Sequence, residues 1–375
     1  MSKKYAVFIT VLFCLFIFGF GIALLVTPSR SFSEQENRYL AQFKAPTLET
    51  IRSGEFMEDF EDYVVDQFPL RDQWIQLKAA SERALGKQEN NRVYFGTDGQ
   101  TLFAQYNAPT SEDLAERVGF VNKLGGNLDI PVNFALIPDK TFVWADRLPA
   151  NAPNVDDGST LVRAEALCDE NVNWIDLSAA LSGDDAFYRT DHHWTTMGAY
   201  QGYQALSDGM GVEAIAPQGE PELRSDAFYG TTWSSSGAGW IRPDALYTWV
   251  PEGGQSGHIS VTCYPKGTPE DGALYVTEKL EKKDKYSMFL GGNQPLCVIK
   301  NPDAPAGKLL IIRDSYGDSI APFLAESWQE VHLFDLRYSN LSVKQYAEAN
   351  GIDQVLVLYS AANFVSDQNL FKLGL

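Results

Sequence analysis

Two short segments carry residue types that can do acyl-transfer chemistry together. One is Tyr188-Arg189-Thr190-Asp191-His192-His193-Trp194-Thr195, and the other is Arg313-Asp314-Ser315-Tyr316-Gly317-Asp318-Ser319. Histidine is scarce, with only His192, His193, His258 and His332, so any imidazole chemistry has few carriers. A serine hydroxyl is a poor nucleophile at neutral pH unless a base lies within hydrogen-bond reach, and that base needs a carboxylate to fix its tautomer and stabilise its charged form. In an extended or turn segment residues i and i+2 project to one side. Asp191 and His193 can therefore touch as orienter and base, with His192 pointing away. Ser315 follows the apolar run KLLII, and the amides of Ser315 and Gly317 would then face the site from a helix N-terminus, as an oxyanion hole requires.

Blander readings stand beside this one. An Asp-Ser pair after a strand is often a helix cap or turn. Adjacent histidines can be surface residues, or can bind a metal with Asp191, but neither His258 nor His332 lies in a ligand-spaced motif to complete such a site. No metal site and no cofactor is therefore assigned. The four cysteines, Cys14, Cys168, Cys263 and Cys297, form no CxxC pair, which excludes a zinc finger or ribbon. Cys263 and Cys297 can pair in an oxidising compartment, and the sequence leaves that open.

The elements that must position these residues read as alternating strands and helices. PVNFALI (131–137), KLLII (308–312), Val331 to Phe334 and QVLVLY (354–359) are short apolar strands of the kind buried on both faces. Helices are expected from a cap at Ser111 to about Leu124, around Leu161 to Leu167, from about Met197 to Met210 after Thr195 and Thr196 as caps, over about Ala321 to Gln329, and from Val343 to Asn350 before Gly351. Strand-helix alternation of this kind predicts an α/β fold, a parallel sheet with helices on both faces. In such a sheet ligands bind outside the carboxyl ends of the strands, where Ser315 falls. Upstream, residues 47–86 predict two helices broken at Pro69, and Asp98-Gly99 between Val93–Gly96 and Thr101–Phe103 predicts a hairpin. Residues 211–300, rich in Gly, Ser, Trp, Tyr and Pro, read as an irregular strand-containing insertion that covers or extends a binding face, or as a surface lobe.

With 375 residues, 45% hydrophobic and 21% charged, the chain is globular and can bury its own core. Its net charge of −19 disfavours nucleic acid as a partner, and any polysaccharide substrate it had would be neutral or zwitterionic sooner than strongly acidic. From Tyr5 to Thr27 no residue is charged, a length that crosses a bilayer as one helix. Lys3 and Lys4 precede this span, so the positive-inside rule predicts a single-pass cell-membrane anchor with a cytoplasmic N-terminus and everything after Thr27 outside. A cleaved signal peptide fits less well, because its apolar core would be shorter and LLVTPSRS is a poor cleavage site.

Asp191-His192-His193-Trp194 resembles the signature of the DHHW family, and FSEQENRYLA, DQFPLRDQW, NNRVYFGTDG, YRTDHHWTTMGAY, DAFYGTTWSSSG and RDSYGDSIAPFL resemble its other blocks, from about Phe32 to the C-terminus. That family is similar in turn to the alginate O-acetylation proteins of the SGNH-hydrolase-like group. The resemblance implies an SGNH-like fold in circularly permuted motif order, with Asp191 as orienter, His193 as base and Ser315 as nucleophile. Together with the residue pattern it divides the chain into a tail (1–4), an anchor (5–27), a helical neck (28–90) and an SGNH-like domain (91–375) with its insertion at about 211–300. SGNH enzymes also use an asparagine as an oxyanion donor, and Asn363, after QVLVLY, is the candidate by position. Tyr188 and Arg189 are placed to contact an acyl oxygen or sugar hydroxyl, Arg189 equally to form a structural ion pair, and Trp194 to stack on a sugar or fill the core. The RDSYG block departs from the Gly-Thr-Ser type turn of the alginate proteins, so the oxyanion geometry need not transfer. The implied activity is O-acetyl transfer to a cell-surface or exported polysaccharide. The implied donor is a separate membrane-bound O-acyltransferase, because one span cannot reach cytoplasmic acetyl-CoA. A polysaccharide esterase with the same triad and a non-catalytic glycan-binding component of an export complex are the alternatives.

Overall fold

The computed structural model describes residues 2–153 and 157–375; Met1 of the expected tail lies outside them. The chain forms two compact units, one holding residues up to Asn91 with Ser234–Trp240, the other Arg92–Trp233 with Ile241–Leu375.

The larger unit is built on an eight-stranded sheet. Its strands are β1 (Val132–Ile137), β2 (Val172–Trp174), β3 (Ser260–Cys263), β4 (Glu270–Gly272), β5 (Leu296–Lys300), β6 (Ala306–Arg313), β7 (Trp328–Phe334) and β8 (Gln354–Ser360), in the order β4-β3-β5-β7-β6-β8-β1-β2. The run from β7 through β6, β8 and β1 to β2 is parallel, as the alternation predicts. The sheet as a whole is mixed, because β3, β4 and β5 add an antiparallel edge. That edge comes from the region read as an insertion, so part of that region extends the sheet. Its strands are short and separated by turn-rich chain, which hides their periodicity. Cys263 and Cys297 face each other in the β3–β5 register and are disulfide-bonded.

Burial explains why the apolar runs become central strands. In β6, Leu309 and Ile311 join one core cluster with Trp194, Tyr203, Ile320 and Phe323, whereas Leu310 and Ile312 join a second with Leu114, Val118, Val355 and Val357. Period-two alternation thus feeds two cores, and helices cover both faces. Thr196–Gly209 and Tyr316–Ser327 supply one face; Ser111–Asn127 and Val343–Asn350 supply the other.

Several boundaries differ from expectation. Helix Tyr316–Ser327 begins directly after Ser315 and not near Ala321. Gly317 and Pro322 lower its intrinsic propensity, but all twelve of its residues are buried, and packing outweighs propensity. Helix Ser111–Asn127 is capped by Thr110 in a reciprocal box with Asp113, one residue earlier than expected.

In the smaller unit a helix runs from Lys3 to Val26. Three helices follow where two are predicted: Leu48–Ser53, Glu55–Asp66 and Arg71–Ala84. Gly54, at φ 88°, separates the first two in a conformation that favours glycine.

Candidate active site

β6 ends at Arg313, and the chain turns through Asp314 and Ser315 into the next helix. The Asp314 carboxylate holds this turn. One oxygen accepts from the Tyr316 amide (3.0 Å), and the other accepts from the Ser360 amide and hydroxyl (both 2.9 Å) and from Asn363 Nδ2 (2.8 Å). Below it the fully buried Arg313 guanidinium pairs with Asp318 at 2.7 Å. Burial pushes the Asp318 carboxyl up to about 6 against the opposing pull of Arg313. Ser315, half-buried, stands at the carboxyl end of a central parallel strand, where open α/β sheets bind ligands.

The Asp-His-His-Trp segment forms a closed loop opposite. Phe187 and Trp194 pair as an antiparallel bridge, and the Tyr188 amide donates to the His193 carbonyl oxygen at 3.1 Å. The loop is fastened from below by Lys140, just beyond the end of β1. Its ammonium is buried and donates to the carbonyl oxygens of Tyr188 (2.9 Å), Arg189 (3.3 Å) and Asp191 (2.6 Å). Desolvation pushes this ammonium down to about 8 despite the nearby Asp139 and Asp191 carboxylates. Asp244 fastens the other side, accepting from the Thr190 amide (2.7 Å) and hydroxyl (2.6 Å) and pairing with Arg189 at 3.1 Å.

These supports bring Asp191, His193 and Ser315 into one hydrogen-bonded chain. Asp191 Oδ1 accepts from the His193 amide (3.0 Å) and lies 2.5 Å from His193 Nδ1; His193 Nε2 lies 2.7 Å from Ser315 Oγ. Asp191 Oδ2 accepts from the Thr231 amide (2.7 Å) and hydroxyl (3.0 Å). A Cβ at Gly230 would meet this carboxylate at 2.2 Å, so the approach of Thr231 requires glycine there. Burial would raise the Asp191 carboxyl, but the two imidazoles and its hydrogen bonds overcome that and hold it well below the ordinary carboxylate range.

His192 does not point away. Its ring lies 3.9 Å from that of His193, centroid to centroid, and its side chain is 33% exposed. The Tyr316 hydroxyl donates to its carbonyl oxygen, and its Nδ1 lies 2.8 Å from Thr231 Oγ1. Because the one hydroxyl hydrogen of Thr231 goes to Asp191, His192 Nδ1 is the donor of that bond. Asp191, His192 and His193 offer ligand atoms within 4.8 Å of one another, but both His193 nitrogens already have hydrogen-bond partners, which a cation would have to displace.

The other expected site residues have structural partners. Gly317 N donates to the Asp314 carbonyl oxygen at 3.1 Å and packs on Arg313, so its amide is taken up by the turn. Among the described residues no hydrogen bond takes up the Ser315 amide. Asn363 gives its amide to Asp314. Arg189 is held by Asp244 and the Pro243 carbonyl oxygen (2.7 Å). Tyr188 is buried edge-on against Phe228 and Tyr286. Trp194 has no exposed surface and donates from Nε1 to Ser319 Oγ at 2.8 Å, so it is core and cannot stack on a sugar.

Sequence reading misses three contributors. Thr231 and Tyr286 come from the 211–300 region, and Lys140 follows β1. Tyr286 stacks on His193 with centroids 3.8 Å apart and planes 11° apart, and its hydroxyl donates to Ser319 Oγ at 2.9 Å. Only the Asp139-Lys140 pair at a strand end was a signal available in advance, since strand ends are where α/β sites gather.

With this geometry in view, the comparisons with known proteins agree in fold. Residues 171–334 match the family model described as DHHW protein, and residues 95–227 match that of an SGNH hydrolase-like domain, acetyltransferase AlgX. A DHHW family protein from Eubacterium siraeum DSM 15702 is 21% identical, with a TM-score of 0.63 over 76% of this chain and 95% of its own. Bacillus cereus PatB1, in a structure with a sulfonyl adduct, is 22% identical, with a TM-score of 0.61 over 74% of this chain and 97% of its own. A comparison with curated proteins finds no match. The fold is therefore SGNH-like α/β, and the DHHW resemblance read from the motifs stands.

Proposed function

We propose that this chain, with its DHHW-type region on an SGNH-like fold, is a membrane-anchored, extracytoplasmic O-acetyltransferase acting on a cell-surface or exported polysaccharide. The observation that carries the reading is the continuous hydrogen-bonded chain from Asp191 through His193 to Ser315 at the carboxyl end of β6. His193 Nε2 takes the hydroxyl proton as Ser315 Oγ attacks the acetyl carbonyl carbon of the donor. The Ser315 amide faces the developing oxyanion, and Asp191 stabilises the imidazolium. Collapse transfers the His193 proton to the leaving group and leaves an acetyl ester on Ser315. A sugar hydroxyl then gives its proton to His193 and attacks the ester carbon, and the proton returns to Ser315 as the O-acetyl sugar departs.

The helix Lys3–Val26, uncharged from Tyr5 onward, fits a single-pass anchor, and Lys3 and Lys4 favour a cytoplasmic N-terminus. An outside active site needs its acetyl groups delivered across the bilayer, which supports a multi-spanning O-acyltransferase as donor. In this reading residues 28–90 are a neck and 91–375 the catalytic domain. The test is the intact mass of the full chain in detergent after incubation with an activated acetyl ester. An acetyl adduct mapped to Ser315 is expected; an unmodified Ser315 with unchanged acetyl turnover would refute the assignment. Release of free acetate with no acceptor-dependent product would instead favour an esterase.

Two further outcomes follow from the neighbours of His193. The proton path does not pass through His192, so His192→Ala is expected to keep most of the transferase activity, and chelators to leave it unchanged. Loss as complete as in His193→Ala, restored by added metal, would assign the cluster to a metal. An electron-rich ring stacked on an imidazole favours the charged form by roughly 0.5–2 kcal/mol. Tyr286→Leu is therefore expected to slow transfer roughly tenfold. Tyr286→Phe keeps the stack and should keep the rate; an unchanged rate in Tyr286→Leu would reduce Tyr286 to a packing residue.

A further inference from the structure

The smaller unit contains an apolar patch that does not belong to the catalytic machinery. Phe20 of helix Lys3–Val26 stacks on Phe68 (centroids 5.2 Å apart, planes 8° apart) and touches Trp74 at 5.9 Å. Around these lie Val65, Leu70 and Leu77, all more than half exposed, and Trp74 itself is 39% exposed. Val64, Val65, Phe68, Trp74 and Ile75 line a shallow, mostly apolar depression together with Arg71 and Lys78, of which Lys78 is paired with Glu82. Leu70, at φ 60°, holds its exposed side chain at the elbow between Glu55–Asp66 and Arg71–Ala84, in a backbone region that a leucine rarely adopts.

The span itself sets the depth of this patch. From Tyr5 to Val26 a helix rising about 1.5 Å per residue is about 32 Å long, close to the ~30 Å of bilayer hydrocarbon. Phe20 then lies about 9 Å inside the outer boundary of the hydrocarbon. Side chains that touch it lie at membrane depth too, and a tryptophan among them matches the interfacial preference of that residue.

We infer that the elbow formed by Val65, Phe68, Leu70, Trp74 and Leu77 is a membrane-docking surface, inserted into the outer acyl–headgroup boundary beside the span. This rests on the anchor reading and goes beyond it: the neck is a lipid-seated element and not a free stalk. The occupant is the acyl region of a zwitterionic lipid surface. Helix Glu55–Asp66 carries six acidic residues and no basic one, and Arg71 is paired with Glu36, so attraction to anionic headgroups is not the driving force.

Among the eight tryptophans Trp74 alone lies in the span or neck, which makes it a built-in depth probe. The experiment reconstitutes the full chain, and its Trp74→Phe variant, in phosphatidylcholine nanodiscs with and without bromine on the upper acyl carbons. The expected result is bromine quenching of part of the wild-type emission, lost in Trp74→Phe and unchanged at high salt. Integrated protein whose quenching Trp74→Phe does not alter overturns the docking surface and leaves the anchor standing. Protein that alkaline carbonate strips from membranes overturns both. Unquenched Trp74 together with disulfide cross-linking of a Leu77→Cys variant between copies, in a Cys14→Ser background, assigns the patch to a second copy and overturns the lipid occupant.

Discussion

Replacing Ser315 with alanine is expected to lower acetyl transfer to the glycan by about a thousandfold or more, and His193→Ala by a similar factor. The two residues act as one unit: the 2.7 Å contact between His193 Nε2 and Ser315 Oγ has no purpose in the proposed reaction once either end is gone. The double variant is accordingly expected to lose no more than the worse single one. Ser315→Ala should reach the membrane in wild-type amounts, because Ser315 is half-buried and the change removes one hydroxyl, whereas His193 is buried against Tyr286 and Tyr316, so the level of His193→Ala is read beside its activity. The measurement is acetyl content of the exported polysaccharide in strains carrying each variant, beside the protein level. Full acetylation with Ser315→Ala at wild-type abundance would leave a glycan-binding component as the remaining reading.

Asp191→Asn carries the second large effect. The Asp191 carboxylate accepts four hydrogen bonds, two from His193 and two from Thr231, and its own pKa is held well below the ordinary range. An amide in its place presents an NH2 group to donors, so His193 turns to the wrong tautomer, with a loss of about 10⁴-fold in kcat. The same substitution has a signature in stability. A carboxyl with a depressed folded pKa stabilises the fold above its unfolded pKa of about 3.9, and that contribution is lost as pH falls toward the folded value. The difference in melting temperature between wild type and Asp191→Asn should therefore be full at neutral pH and shrink below about pH 4. A difference independent of pH would mean that shape, not charge, holds Thr231 and His193 to this position.

The chain order of elements was legible because burial on two faces writes itself into composition. PVNFALI, KLLII and QVLVLY are apolar but for Asn133, Lys308 and Gln354, and they became the central strands β1, β6 and β8. The pairing of Asp191 with His193 was legible too, since alternation alone puts i and i+2 on one side, whereas His192 was misplaced. Thr231 and Tyr316 set its position from distant parts of the chain, and local alternation carries no information about them.

Sequence by itself determined the residue types that can do the chemistry, the strand that ends just before Ser315, the uncharged span and the acidity that disfavours nucleic acid. Only the tertiary structure decided which candidates are held elsewhere and which unexpected groups complete the site. Asn363 and Gly317 are taken up by Asp314, Arg189 by Asp244, and Trp194 by the core. Lys140, Thr231 and Tyr286 enter from segments separated by tens of residues, through hydrogen bonds and ring contacts. The physical reason is one of range: strand and helix patterns are enforced by neighbours a few residues away, whereas the partner of a buried polar group is chosen by whatever the fold brings within 3 Å of it.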